Sequence, residues 1–232
     1  MKKAAIINAA QRGNAQLIEN CLAAGEHIEA RDEDGCTPLM WACSKGHEAA
    51  VRLLLQRGAS VDALSESGES PLSLAVEHHH GEIARLLLDQ GAAPDVTPRY
   101  GRSPLAEAAA HDDWALCERL LDSGAAISRV HAGASPLGEA AAQAHEELAC
   151  RLIGRGADVD CPEEGKNAPV AVAAREGLLR LLGIILEKTR LDFAAEVFTF
   201  AIAEAADAGQ EDAIELLLAN HDQSCPSCFK SS

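Results

Sequence analysis

The chain has 232 residues, a formal net charge of −16 and a pI near 4.9, with 47% hydrophobic but only 3% aromatic residues. The apolar fraction excludes disorder over most of the length, and the carboxylate excess argues against nucleic acid and anionic membrane surfaces as partners. No apolar run approaches the roughly twenty residues that span a bilayer, and Ala and Leu carry the apolar load, which suits thin layers of close-packed helices.

The chain opens with "MKKAAIINAAQRGNAQ". Its two lysines resemble a signal n-region, but the apolar stretch is too short and ends in "QRGN", so the expectation is a cytoplasmic protein. Eight cysteines, several on helical apolar faces, read as reduced thiols in the same compartment. A degenerate helix pair is predicted over residues 4–30. Then "DEDGCTPLMWACSKGHEAAVRLLLQRGASVDA", Asp32 to Ala63, supplies a full sentence that the chain repeats. Gly35 suits a tight turn that needs positive φ. Thr37 is a natural N-cap, and Pro38 sits at the first helical position, where its missing N–H costs nothing. Leu39, Ala42 and Cys43 form one helical face; Val51, Leu54 and Leu55 form another; Gly58 closes the second helix.

The same phase returns about every 33 residues. Pro38, Pro71, Pro104, Pro136 and Pro169 mark it, as do Gly25, Gly58, Gly91, Gly124 and Gly156, and the turn glycines Gly35, Gly68, Gly101 and Gly133. Further units are expected near 31–64, 65–97, 98–128, 129–161 and 162–191, with a closing unit over 192–222 and a short mobile tail over 223–232. The later units depart from the pattern. The fifth hairpin is one residue short between Gly124 and Gly133, Ala168 stands where Thr or Ser would cap, and the closing unit lacks the proline and carries Phe193, Phe198 and Phe200. Atypical ends fit terminal units that face water on one side.

A period of 33 built from a turn and two helices, with "GCTPL", "GHEAAVRLLLQRGA" and their copies in phase, resembles the ankyrin-repeat family over roughly residues 4 to 222. The fold this implies is all-α: a solenoid of six to seven helix-turn-helix units with β-hairpin-like loops, as a single domain over residues 1–222. The resemblance also implies a non-catalytic adaptor or inhibitor whose protein partner docks on the concave face, formed by the hairpin tips and the exposed side of each first helix. The tips supply Glu33, Asp34 and Cys36, then Glu66, Ser67 and Glu69, then Arg99, Tyr100 and Arg102, and His131. The first helices supply Met40, Trp41, Ser44 and Lys45; Ser73, Glu77 and His78; Glu107 and His111; Glu139 and Gln143. The candidate contact set is Glu33, Asp34, Trp41, Lys45, Glu66, Glu69, His78, Arg99, Tyr100, Arg102, Glu107, His111 and Glu139. Trp41 and Tyr100 are rare aromatics at surface phases and are the expected anchors; the alternative for Trp41 is packing on its own neighbours. The expected partner is another protein, for which a basic surface would be compatible, bound by a monomer.

Chemistry-bearing motifs are few. His78-His79-His80 invites a metal reading, but His80 shares the phase of His47 and His145, which in ankyrin proteins is a structural hydrogen-bonding position. His79 takes the preceding glycine's place, and His78 aligns with His111 one unit on. Packed helices lie about 8–10 Å apart against zinc–nitrogen bonds of about 2 Å. Cys225-Pro-Ser-Cys228 is a CxxC with no second pair and no βαβ context; His221 and Cys161 have no spacing to recommend them as further ligands. Cys21, Cys43, Cys117 and Cys150 fall mostly at core phases, and Trp114 opens a second helix on the convex side. Asp112-Asp113 lack a partner group, and "EEGKNAP" around Lys166 has one glycine and no GK[ST]. No catalytic group, metal site or cofactor is therefore expected. The second reading, a metal- or redox-dependent protein, would use the His78–His80 run or the Cys225/Cys228 pair.

Overall fold

The computed structural model describes residues 4–99, 101–131, 133, 135–160, 168–190 and 196–224. Fourteen α-helices occur among them, in seven consecutive pairs: α1 Ala5–Gln11 and α2 Ala15–Ala23, α3 Pro38–Ser44 and α4 Glu48–Gln56, α5 Pro71–Glu77 and α6 Gly81–Asp89, α7 Pro104–Ala110 and α8 Trp114–Asp122, α9 Pro136–Ala142 and α10 Glu146–Gly154, α11 Pro169–Arg175 and α12 Leu179–Lys188, α13 Glu196–Asp207 and α14 Glu211–Ser224. No strand forms among the described residues. The chain divides into two compact units, Met1–Ala108 with Ala115–Ala126, and Ala109–Trp114 with Ile127–Ser232.

Eleven of these helices have seven to nine residues and the last three ten to fourteen, all too short to be more than marginal alone in water. They stand because neighbours cover them. In the first unit α1 packs on α3 and α3 on α5, while α2 packs on α4 and α4 on α6. In the second, α9 packs on α11 and α11 on α13, while α10 packs on α12 and α12 on α14. Leu39, Ala42, Cys43, Val51 and Leu54 are all buried, as their phases predict, and Ala75 and Ala140 are fully enclosed where backbones approach.

Three local devices recur among the pairs. The first is the cap. Thr37 Oγ1 accepts from Met40 N at 3.3 Å, Ser70 Oγ from Ser73 N at 3.0 Å, Ser103 Oγ from Ala106 N at 3.2 Å and Ser135 Oγ from Gly138 N at 2.9 Å. Ala168 offers α11 no such bond.

The second device lies between the two helices. His47 Nε2–H donates to Gln11 O at 3.1 Å, and His80 Nε2–H to Ser44 O at 3.2 Å. Each of these carbonyls ends a first helix and has no intrahelical donor. In the second unit, His145 Nε2–H serves Ala110 O in the same way at 3.1 Å. The residue before each of these histidines is left-handed. Gly46, with φ +73°, fits without strain, whereas His79 and Ala144 hold φ near 60° with a side chain attached, a conformation that costs about 1–2 kcal/mol.

The third device ties each pair to the next through a side chain that accepts a backbone N–H about thirty residues on. Glu29 accepts from Ser60 N at 2.8 Å, Asp62 from Ala93 N at 2.9 Å and Asp95 from Ala126 N at 3.1 Å. In the second unit Ser128 accepts from Asp158 N, and Asp160 from Arg190 N, both at 2.8 Å.

The caps give a reciprocal pair of outcomes. Ser70→Ala removes a buried cap and lowers stability by about 1 kcal/mol, whereas Ala168→Ser supplies a missing one and raises it by about 0.5–1 kcal/mol. Urea denaturation of the two variants beside the wild type measures both; equal midpoints would remove the caps from the account.

Candidate partner-binding groove

The tips of the second and third repeats are built by side chains that fold back on their own turns. Asp32 Oδ1 accepts from Cys36 N at 2.9 Å and from Asp34 N at 3.2 Å, so the carboxylate templates the turn. Gly35 occupies it at φ +76°, and a Cβ there would lie 3.0 Å from Glu66 Cγ and 3.1 Å from Glu66 N. Only glycine lets one tip come this close to the next. Glu66 N then donates to Asp34 O at 3.0 Å, and Arg99 N to Ser67 O at 2.9 Å, which fastens three successive tips edge to edge. Arg31 adds a guanidinium bridge to Gly35 O and Leu64 O at 2.7 and 2.6 Å. In the third repeat, Glu69 Oε2 accepts from Ser65 Oγ at 3.1 Å and Ser67 Oγ at 2.8 Å.

Beside these tips lies an open groove of about 550 Å³. Its floor is Cys36, Met40 and Leu74, which cluster with Ala63 and carry Trp41 packed against them. Asp34, Glu66, Ser67 and Glu69 border it on the tip side, Ser44, Lys45 and His78 at the helix ends, and Arg99 on the next tip. Trp41 is only partly buried, yet it is fixed: its Nε1–H donates to Asp32 Oδ2 at 2.7 Å, and Lys45 Nζ stands 5.7 Å from its ring centroid. The groove therefore presents an aromatic face whose polar atom is already satisfied and whose rotamer is held by packing.

Ankyrin repeats, in a three-copy form, match residues 6–98 and 62–131, more than half of the chain. The chain belongs to the ankyrin-repeat family. The crystal structure of the human ASB11 ankyrin repeat domain superposes with a TM-score of 0.76 at 24% sequence identity, covering 91% of this chain and 96% of that one. This likeness shows the fold. No curated protein matches the chain. Ankyrin repeats are generally protein–protein interaction modules. Among the described residues no helix is long and apolar enough to cross a membrane.

Within this ankyrin protein the sequence candidates separate. Asp34, Trp41, Lys45, Glu66, Glu69, His78 and Arg99 line the groove together. Glu33 is exposed on the second tip without lining it. Arg102 and Glu107 pair with each other at 3.2 Å outside the groove. His111 is exposed just beyond α7, and Glu139 lies on α9 in the second unit. Tyr100 lies outside the described residues. Met40 and Ser73, expected on the exposed side of their helices, are instead buried, because each sits three residues into its helix and folds back on the cap. Thr37 N donates to Met40 Sδ at 3.4 Å and Ser70 N to Ser73 Oγ at 2.8 Å. Leu74 is the floor residue that sequence reasoning missed. It stands 33 residues after Trp41, so the repeat phase alone could have found it.

The other candidates have structural surroundings. His80 is engaged with Ser44 O, and its ring lies 6.5 Å from that of His78. Among the described residues no three His, Cys, Asp or Glu side chains converge as metal ligands. Cys225, Cys228, Cys161, Lys166 and Phe193 lie outside the described residues, as does the side chain of His221. In the second unit, Trp114 is partly buried with the Arg151 guanidinium 5.6 Å from its ring centroid. Cys21, Cys43 and Cys117 are buried, whereas Cys150 is only half-buried. Burial pushes the Cys43 thiol far above its ordinary value, so almost none is thiolate near neutral pH. Accordingly, Cys43 stays unmodified by iodoacetamide at pH 8 in the native protein and is alkylated in urea. Peptide mass mapping reads this, and native alkylation of Cys43 would contradict the packing described.

Proposed function

We propose that this ankyrin-repeat protein is a non-catalytic adaptor or inhibitor that grips another protein at the groove beside the second and third tips. One observation carries the reading. Trp41 is held rigid by Asp32 and by the apolar floor, while part of its ring faces an open groove. A pre-ordered aromatic gains contact area on binding without losing much rotamer freedom, which is how interface anchors act. The Asp32, Ser65, Ser67 and Glu69 side chains around it are occupied in shaping their own turns, which supports a recognition surface rather than a reacting centre. The buried thiols Cys21, Cys43 and Cys117 support a reducing, cytoplasmic setting.

The test begins with immobilised full-length chain, identification of what it captures by mass spectrometry, and titration of the purified partner. Trp41→Ala weakens that partner by about 2 kcal/mol or more, roughly thirtyfold in Kd. Lys45→Glu, at an exposed position, alters affinity at an unchanged Tm. Leu218→Ala, at an exposed site on α14, leaves affinity as it was. Unaltered binding by both groove variants would reject this surface.

A further inference from the structure

We propose that the groove selects a short basic–apolar segment of its partner, with one apolar side chain on the floor and a Lys or Arg beside it on the tip side. This rests on the groove being the gripping surface and specifies what it grips. The argument is one of charge placement. Asp34, Glu66 and Glu69 stand together on the tip side of the groove, with Arg99 at the far end of that edge on the next tip, whereas Lys45 stands at a helix end. These charges do not neutralise one another: among the described residues, neither the Asp34 nor the Glu66 carboxylate has an ion-pair or hydrogen-bonding partner, and Lys45 is engaged only with the Trp41 ring. Glu69 is already aimed by Ser65 and Ser67. One step along the chain the situation differs, because Arg102 pairs with Glu107.

The spacing of the tip carboxylates is rigid as well. Asp34 O accepts from Glu66 N, so Asp34 and Glu66 belong to two tips joined by backbone. A cation laid along that edge meets two unpartnered carboxylates and one oriented one. Between this edge and the helix ends lie Cys36, Met40 and Leu74, which offer no polar side-chain contact beyond thiol and thioether sulfur. An acidic or phosphorylated segment would have to place its charge against the tip-side carboxylates or reach past them to Lys45 and Arg99. That arrangement is the less favourable one.

The experiment pans a random short-peptide phage library on the full chain, followed by titration of the best synthetic peptide. The enriched peptides carry Lys or Arg within two positions of an apolar residue. Trp41→Ala weakens the peptide at least about tenfold. Glu66→Gln weakens it about two- to fivefold and Glu66→Lys more, each at wild-type Tm. Raising sodium chloride from about 0.05 M to about 0.5 M also weakens it. Enrichment of acidic or uncharged peptides, failure to enrich any peptide, or indifference of the selected peptide to Glu66→Lys overturns the proposal. If the whole chain still holds a purified partner in a Trp41-dependent manner, the gripping surface stands and only the chemistry assigned to its occupant falls.

Discussion

The structure depends on one constraint: helices of seven to fourteen residues are at best marginal alone, so every repeat must be completed by its neighbours. Apolar stacking supplies the bulk of this, and polar groups supply the register. Three first helices end on a carbonyl reached by the next repeat's histidine, as Ser44 O is reached by His80. A carboxylate in one repeat holds an amide in the following one, as Asp62 holds Ala93 N. Removing any one of these groups leaves a backbone atom unsatisfied in the repeat beside it, so the repeats are cooperative through named atoms as well as through shared apolar area.

The same constraint shapes the groove. A surface made from three tips and two helix ends would be loose if each element were independent. Here the tips share backbone hydrogen bonds, and Gly35 lets two of them approach to contact distance. Trp41 then takes its position from a cluster drawn from two repeats, Cys36, Met40 and Ala63 of its own and Leu74 of the next, against which it packs. Its orientation is a property of the stack.

Much of this was legible in the residues. Pro, Gly and Ser or Thr recur in phase because each answers a backbone requirement that the sequence states directly: a fixed φ, a positive φ, a side-chain cap. The histidine positions follow from the same phase. Met40 and Ser73 were harder, because a helical wheel places them outward while the cap amide turns them inward. The Trp41–Asp32 bond spans nine residues and a turn, and no periodic pattern announces it. Which charges pair was equally hidden. Arg102 and Glu107 looked like contact residues beside Arg99 and Glu66, and only geometry distinguishes a neutralised pair from an open one.

The bonds between successive pairs bear on how the acidity of this protein should be understood. Glu29, Asp62, Asp95 and Asp160 each face a main-chain amide in the following repeat. Part of the formal charge of −16 thus sits on groups that hold the stack together, and it would persist even in a relative with no preference for a basic ligand. Accepting an amide leaves each carboxylate its negative charge, so an approaching molecule still feels it; what the stack decides is where that charge sits.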